Sequence, residues 1–277
     1  MQNRALLNDR SVLAISGQQA SSFLQGLITN DMVRLETEKA IYAALLTPQG
    51  KILFDFMVIK ASDDKFYIDC AATQQDDLVR RLALYRLRAK VEIAETPFAV
   101  AAAWGGENLP ALSDDILIFG DPRLPELGLR AIAPAEILKN IFPGDEGSYR
   151  AHRLGLGVPD SADLPADSVF ALDAGFEELN GVSFSKGCFV GQEVTSRMKH
   201  RASARKRFLI VEMSGICPQG TPLKAGGQEI GMLGTGDGNI ALALMRLDRV
   251  SNAEQTETPI TCAGKPVILT APKWHRI

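Results

Sequence analysis

The sequence predicts an α+β fold that ends in a small β-barrel, and three observations carry that expectation. Residues 40–70 alternate apolar strand-like runs with short turn clusters. A single amphipathic helical segment follows at about 74–88. Beyond residue 203 only short strand-like runs remain, spaced by turns. Strands, then a helix, then further strands indicate segregated α and β elements, with a closed sheet at the C-terminal end.

The runs at 40–47, 52–59 and 66–70 are separated by Pro48-Gln49-Gly50 and by Ser62-Asp63-Asp64, which reads as a meander. Thr73, followed three residues later by Asp76, supplies short oxygens for free helix N–H groups, and Leu78, Leu82 and Tyr85 then recur on one face. Further strands are expected at 91–93, 98–104, 116–119 and 129–133, and a short helix around 149–154. From Gly155 to Val182, Gly157, Pro159 and Pro165 interrupt regular structure and imply a long shaped loop. The final strands are expected at 208–213, 229–234, 240–247, 259–262 and 267–270. The expected division is an N-terminal α+β domain over 1–100, discontinuous in one variant, a middle α+β domain over 101–202, and the barrel over 203–277.

Composition narrows the function classes. A hydrophobic share of 46% with 23% charged residues is that of a folded globular chain. The net charge of −3 offers no global attraction to nucleic acid or to anionic lipid. No apolar stretch is long enough for a membrane span, and the N-terminus lacks an export signal. Cys70, Cys188, Cys217 and Cys262 lie far apart with no Cys-x-x-Cys spacing. That argues against a disulfide framework or a zinc ribbon, and a reducing cytoplasm is expected. His152, His200 and His275 have no metal-ligand spacing, so no metal site is expected.

Chemistry concentrates at Lys186-Gly187-Cys188-Phe189-Val190-Gly191-Gln192-Glu193. Val194 and Met198 follow at helical spacing, so Cys188 is expected just before a helix, where free N–H groups and the Lys186 ammonium favour thiolate. Free cysteines usually pack instead, and that is the reading for Cys70 and Cys262, while Cys217 beside Pro218 has no expected role. The cationic run from Arg197 to Arg207 suits an anionic ligand tail or RNA, and equally a solvated face. Arg197 stands apart because it lies one turn from Glu193. Gly234-x-Gly236-x-Gly238 lies between strands and is read as a hairpin, not a phosphate loop.

The motif around Cys188, followed by Arg197, resembles the signature of the YgfZ family, bacterial counterparts of a mitochondrial iron–sulfur assembly factor and relatives of the glycine-cleavage T-protein. Phe23-Leu24-Gln25-Gly26-Leu27-Ile28-Thr29-Asn30-Asp31, Leu46-Thr47-Pro48-Gln49-Gly50-Lys51, Tyr85-x-Leu87-Arg88-x-Lys90 and Asp173-Ala174-Gly175-Phe176-Glu177-Glu178-Leu179-Asn180-Gly181 resemble other family segments in the same order. The resemblance implies a T-protein-like arrangement of three domains around a central channel that holds tetrahydrofolate. It implies that Asn30, Asp31 and Asp55 line the channel, that Asp173 pairs with the pterin, and that Lys186, Cys188, Gln192, Glu193 and Arg197 form a reactive rim. It also implies an accessory factor for assembly or repair of iron–sulfur clusters, with client enzymes or the assembly machinery as partners. RNA contact is not favoured. The alternative is an aminomethyltransferase acting on tetrahydrofolate. Against that alternative, the T-protein's paired acids read Phe54-Asp55 here, and an acid and an Asn of its relatives are replaced by Gly155 and Gly175.

Overall fold

A computed structural model of the protein describes residues 3–106, 115–201 and 205–275. The strands are β1 (Asn3–Leu7), β2 (Arg10–Ser16), β3 (Ala40–Leu46), β4 (Ile52–Ser62), β5 (Lys65–Ala71), β6 (Glu92–Glu95), β7 (Phe98–Trp104), β8 (Leu117–Gly120) and β9 (Leu129–Pro134). Those of the C-terminal part are β10 (Lys206–Met213), β11 (Pro222–Ala225), β12 (Gln228–Asp237), β13 (Ile240–Arg246), β14 (Ile260–Cys262) and β15 (Lys265–Thr270). The helices are α1 (Ala20–Gln25), α2 (Gln75–Arg86), α3 (Ala135–Ile141), α4 (Glu146–Gly155), α5 (Gln192–His200) and α6 (Leu247–Gln255).

The expected meander becomes the centre of a five-stranded antiparallel sheet in the order β3-β4-β5-β2-β6. Every residue of β3 is buried, because this sheet is covered on both faces and a half-polar strand would leave side-chain groups unsatisfied there. One face carries Leu24, Ile28, Leu78 and Leu82 from α1, its following turn and α2. Tyr42, Ala44 and Leu46 alternate onto the other face, where they meet Phe176, Leu179 and the long loop of residues 156–191.

A second sheet, β1-β7-β9-β8, forms beside the first. Its strand β1 pairs with β7, so the chain begins in the second sheet and crosses into the first at the Asn8-Asp9 turn. The expected division into consecutive segments is therefore interleaved, because β1 finds its partner almost a hundred residues along the chain. The expected boundary at 202/203 lies outside the described residues. The C-terminal strands close into a six-stranded barrel, β10-β13-β12-β11-β14-β15, which leaves no free sheet edge. In the barrel region two elements depart from expectation. The run 240–247 ends as a strand at Arg246 and continues as α6, whose Val250 and Ala253 pack inward at i, i+3 spacing. Strand β11 was too short to read as a periodic run, and tertiary pairing with β12 and β14 defines it.

Candidate functional site

Two regions carry polar chemistry, and the sequence motifs meet at only one of them. The three segments around residues 23–31, 46–51 and 180–193 converge at the β3 edge of the first sheet, where Ile28 bridges to Leu45. Thr29 Oγ1 donates to the Gly181 carbonyl at 2.6 Å, and the Ser183 N–H donates to the Thr29 carbonyl at 3.0 Å. The Asn30 amide donates to the carbonyls of Tyr42 and Asn180, each at 2.7 Å. Asp31 caps the 3-10 turn over Met32–Glu36 by accepting from the Val33 N–H, and it also accepts from Gln25. The Asn30 and Asp31 side chains are thus committed to holding the chain, and neither borders the cavity or the recess described below.

Lys186 is buried, and its ammonium donates to three carbonyls, those of Gln25 at 2.6 Å, Ile28 at 2.7 Å and Asn30 at 2.8 Å. Its donor capacity is filled. Burial, opposed by Asp31, lowers its pKa to about 8. Phe189 is buried as well, 5.2 Å beneath the same ammonium. Between these two anchors Gly187 and Cys188 are exposed, so the loop is pinned at both sides and its thiol projects outward. The helix itself starts four residues beyond the cysteine, at Gln192, after Gly191 in a left-handed conformation at φ 82°. A Cβ at Gly191 would stand 2.6 Å from the Thr47 carbonyl oxygen, so only glycine lets the 46–51 hairpin approach here. Gln192 is half-buried, and the exposed Glu193 pairs with Arg197 across one turn of α5.

The second region is a cavity of about 590 Å³ between the first sheet, α4 and the barrel. Asp9 and Arg10 reach it from the β1–β2 turn, Gln74 from the turn before α2, and Arg150 and Arg153 from α4. Asp160 and Ser161 come from the long loop, and Cys217, Gln219 and Thr235 from the barrel. A narrower recess continues from it toward Tyr42, Asp55, Arg123, Arg130 and Tyr149, and so reaches the second sheet. Asp55 is the one expected site residue that borders either space, and it accepts from Ser161 at 2.6 Å and Tyr42 at 3.1 Å.

Behind the recess runs a buried ion chain. Asp69 accepts from Arg10 at 2.6 Å and Arg130 at 2.7 Å, and Asp121 accepts from Arg130 and Arg123. Arg153 pairs with Asp160 at 2.9 Å and Asp163 at 3.1 Å, and Asp163 in turn accepts from the backbone and hydroxyl of Thr235 on β12, which locks the barrel to α4. Burial would raise the Asp160 pKa, but Arg153, Arg10 and Arg123 outweigh it and hold the carboxyl below its ordinary value. Asp163 is raised, by burial and by Asp160, against the pull of Arg153. Asp9 is raised too, chiefly by burial, with Asp160 and Glu146 opposing the effect of Arg10.

The expected rim does not border this cavity. Cys188, Lys186, Gln192, Glu193 and Arg197 do not border it, because the loop that bears Lys186 and Cys188 is tied to the 25–30 segment and the other three lie on α5. Asp173, expected against a pterin, is buried beside β10 and accepts from the Lys206 N–H at 3.3 Å, and burial raises its pKa. Asp9, Gln74, Arg150, Arg153 and Asp160 are cavity residues that the sequence reading missed. They come from separate elements with no shared spacing, and the one available signal was the Asp9-Arg10 pair in a turn.

Comparison with known proteins is consistent with this architecture. The family profile described as the GCVT N-terminal domain matches residues 2–108, and that of the CAF17 C-terminal beta-barrel domain matches residues 205–277. The chain is 32% identical to the mitochondrial iron–sulfur cluster assembly factor IBA57 of Homo sapiens over 88% of this chain and 77% of the human protein. It is 29% identical to the homologue of Pyricularia oryzae over 94% of this chain and 74% of that one. The fold matches the crystal structure of the glycine cleavage system aminomethyltransferase T from Bartonella henselae with a TM-score of 0.76 and 16% identity, covering 98% of this chain and 85% of that one. The fold is therefore GcvT-like, with mixed α/β sheets and a closed barrel. The expected cytoplasmic location is overturned, since these relatives are named as mitochondrial in human, mouse and fungus. Unpaired thiols report a reducing compartment, and they do not distinguish one such compartment from another.

Proposed function

Because the chain belongs to the family of IBA57 iron–sulfur cluster assembly factors, we propose that it assists the assembly or repair of iron–sulfur clusters in client enzymes, with Cys188 as its working thiol. The observation that carries this reading is the exposed Cys188 held between the buried anchors Lys186 and Phe189. A thiol fixed at a protruding point can meet a cluster carried by another protein without opening the fold. In the reading, Cys188 gives its proton to solvent and donates a sulfur lone pair to an iron of the incoming cluster, displacing a thiolate of the carrier protein that takes up a proton in turn. Cys188 leaves when a thiolate of the recipient takes its place. Cys70 lies in the core of the first sheet, and Cys217 and Cys262 belong to the barrel, so no set of thiols gathers around Cys188 and the protein passes a cluster on without caging one. The YgfZ resemblance is the finer form of this reading, since it adds the folate.

Tetrahydrofolate fits the central cavity better than the Cys188 loop. The volume of about 590 Å³ suits a drug-sized ligand, for which pockets run to about 300–1,000 Å³. Gln74 Oε1 is buried on the cavity wall without a hydrogen-bond partner among the described residues, which leaves an acceptor for a pterin N–H. Arg10 and Arg150 suit the glutamate carboxylates, and Asp160, kept ionised, suits a donor edge. Bound folate would supply a reducing ring and a nitrogen that accepts one-carbon units. Thiol and folate then act from separate places, which favours an accessory factor over aminomethyl transfer at one centre.

The test replaces the chromosomal copy with Cys188→Ala and assays cluster-dependent enzymes in cells. At least a tenfold loss is expected with normal protein levels, and undiminished activity would rule out the thiol's role. Titration of tetrahydrofolate into purified protein addresses the cavity separately. Arg150→Ala should weaken binding about tenfold while Cys188→Ala leaves it unchanged, and equal binding by Arg150→Ala would remove the cavity assignment.

A further inference from the structure

The barrel holds a second pair of thiols that no functional motif marks. Cys217 lies on the segment between β10 and β11 and lines the central cavity, while Cys262 is buried on β14 in register with Leu223 of β11. Cys217 packs against the barrel cluster that contains Cys262, near enough for its thiol to bear on the titration of Cys262. The segment that bears Cys217 also spans the cavity wall, where Gln219 donates to the Ala162 carbonyl of the long loop at 2.6 Å. One member of the pair is therefore open to small molecules in the cavity, and the other is held next to it inside the barrel.

We propose that Cys217 and Cys262 form an oxidisable dithiol site, which closes to a disulfide when an oxidant of the disulfide class, such as oxidised glutathione, enters the central cavity. The Cys217 thiolate attacks one sulfur of the oxidant, whose sulfur–sulfur bond breaks and expels one glutathione thiolate. Cys262 then attacks the Cys217 sulfur and expels the second. The protons of the two cysteines end on the two glutathione thiols, and two electrons pass from the protein to the oxidant. Burial, with the Cys217 thiol beside it, pushes the Cys262 pKa up to about 11, so Cys262 stays protonated until its neighbour has been captured. Closure ties the cavity-wall segment to β14 and so couples the shape of the cavity to the local redox poise. Neither Cys188 nor Cys70 can substitute, the first because it lies on the exposed loop and the second because it is buried in the core of the first sheet.

The experiment uses the full chain with Cys188→Ser, so that the surface thiol does not react. Oxidised glutathione at saturation should reduce the three remaining thiols to one, and peptide mapping should find Cys217 linked to Cys262. Closing a loop of about 45 residues should raise the barrel's melting temperature by roughly 5 °C or more, reversed by dithiothreitol. In the same background Cys262→Ser should leave Cys217 as a glutathione adduct with no internal link. Three free thiols after oxidation, or a link that involves Cys70, would overturn the proposal.

Discussion

The Cys188 loop and the central cavity differ in how their side chains are used. At the loop, side chains make the scaffold and the exposed thiol stands alone. Asn30, Asp31 and Lys186 spend their hydrogen bonds on backbone carbonyls, on N–H groups and on each other's segments, while Gly187 and Cys188 between the anchors face outward. At the cavity the backbone only brings the walls together, and charged side chains from the first sheet, α4, the long loop and the barrel face a shared space. A dense motif therefore marks the place where chain segments must fit closely. It need not mark the place where a small ligand sits, because a cavity can be lined by residues that have no sequence relation to each other.

Substitutions can break or sharpen this contrast, and the cavity wall should give the largest effect. Arg153→Met leaves Asp160 and Asp163 without their buried cation, and is expected to cost about 3–5 kcal/mol in urea unfolding. At the loop, Lys186→Met strands three inward-facing carbonyls and should cost about 2–4 kcal/mol. Stability unchanged by that substitution would mean that the ammonium is free for chemistry. Gly191→Ala forces a side chain into a left-handed backbone against Thr47 and should cost about 2 kcal/mol.

A smaller effect should appear with pH. Asp9 has a raised pKa, so as pH falls it becomes neutral before an ordinary carboxylate does and removes a negative charge from the cavity. Affinity for an anionic folate should rise as pH is lowered toward the carboxylate range, and Asp9→Asn should flatten that trend in a titration series. The smallest expected change in stability is that of Cys188→Ala, within about 0.5 kcal/mol, because the side chain is exposed. A large loss there would make the cysteine part of the scaffold and erase the difference between tip and anchors.

The legible parts of the sequence were those set by short-range rules. The turns Pro48-Gln49-Gly50 and Ser62-Asp63-Asp64, the Leu78/Leu82 face of α2 and the closely spaced C-terminal strands all rest on neighbours within a few residues. The helix after Gly191 was legible in the same way, and so was the concentration of chemistry at Lys186-Gly187-Cys188. What Lys186 does was not legible. Adjacency to Cys188 suggested an activated thiol, yet the long side chain turns toward carbonyls some 160 positions earlier in the chain.

By itself, then, the sequence determined the α+β class, the barrel and the dense motif around Cys188, because periodicity and turn chemistry act locally and are written in consecutive residues. Tertiary structure alone decided that Lys186 is an anchor, that Asp9, Arg150 and Asp160 share one cavity, and that Cys217 packs against the barrel core that holds Cys262. Those pairings depend on which distant strands lie side by side. Burial then fixes which charges and thiols must find partners, and no local pattern encodes that.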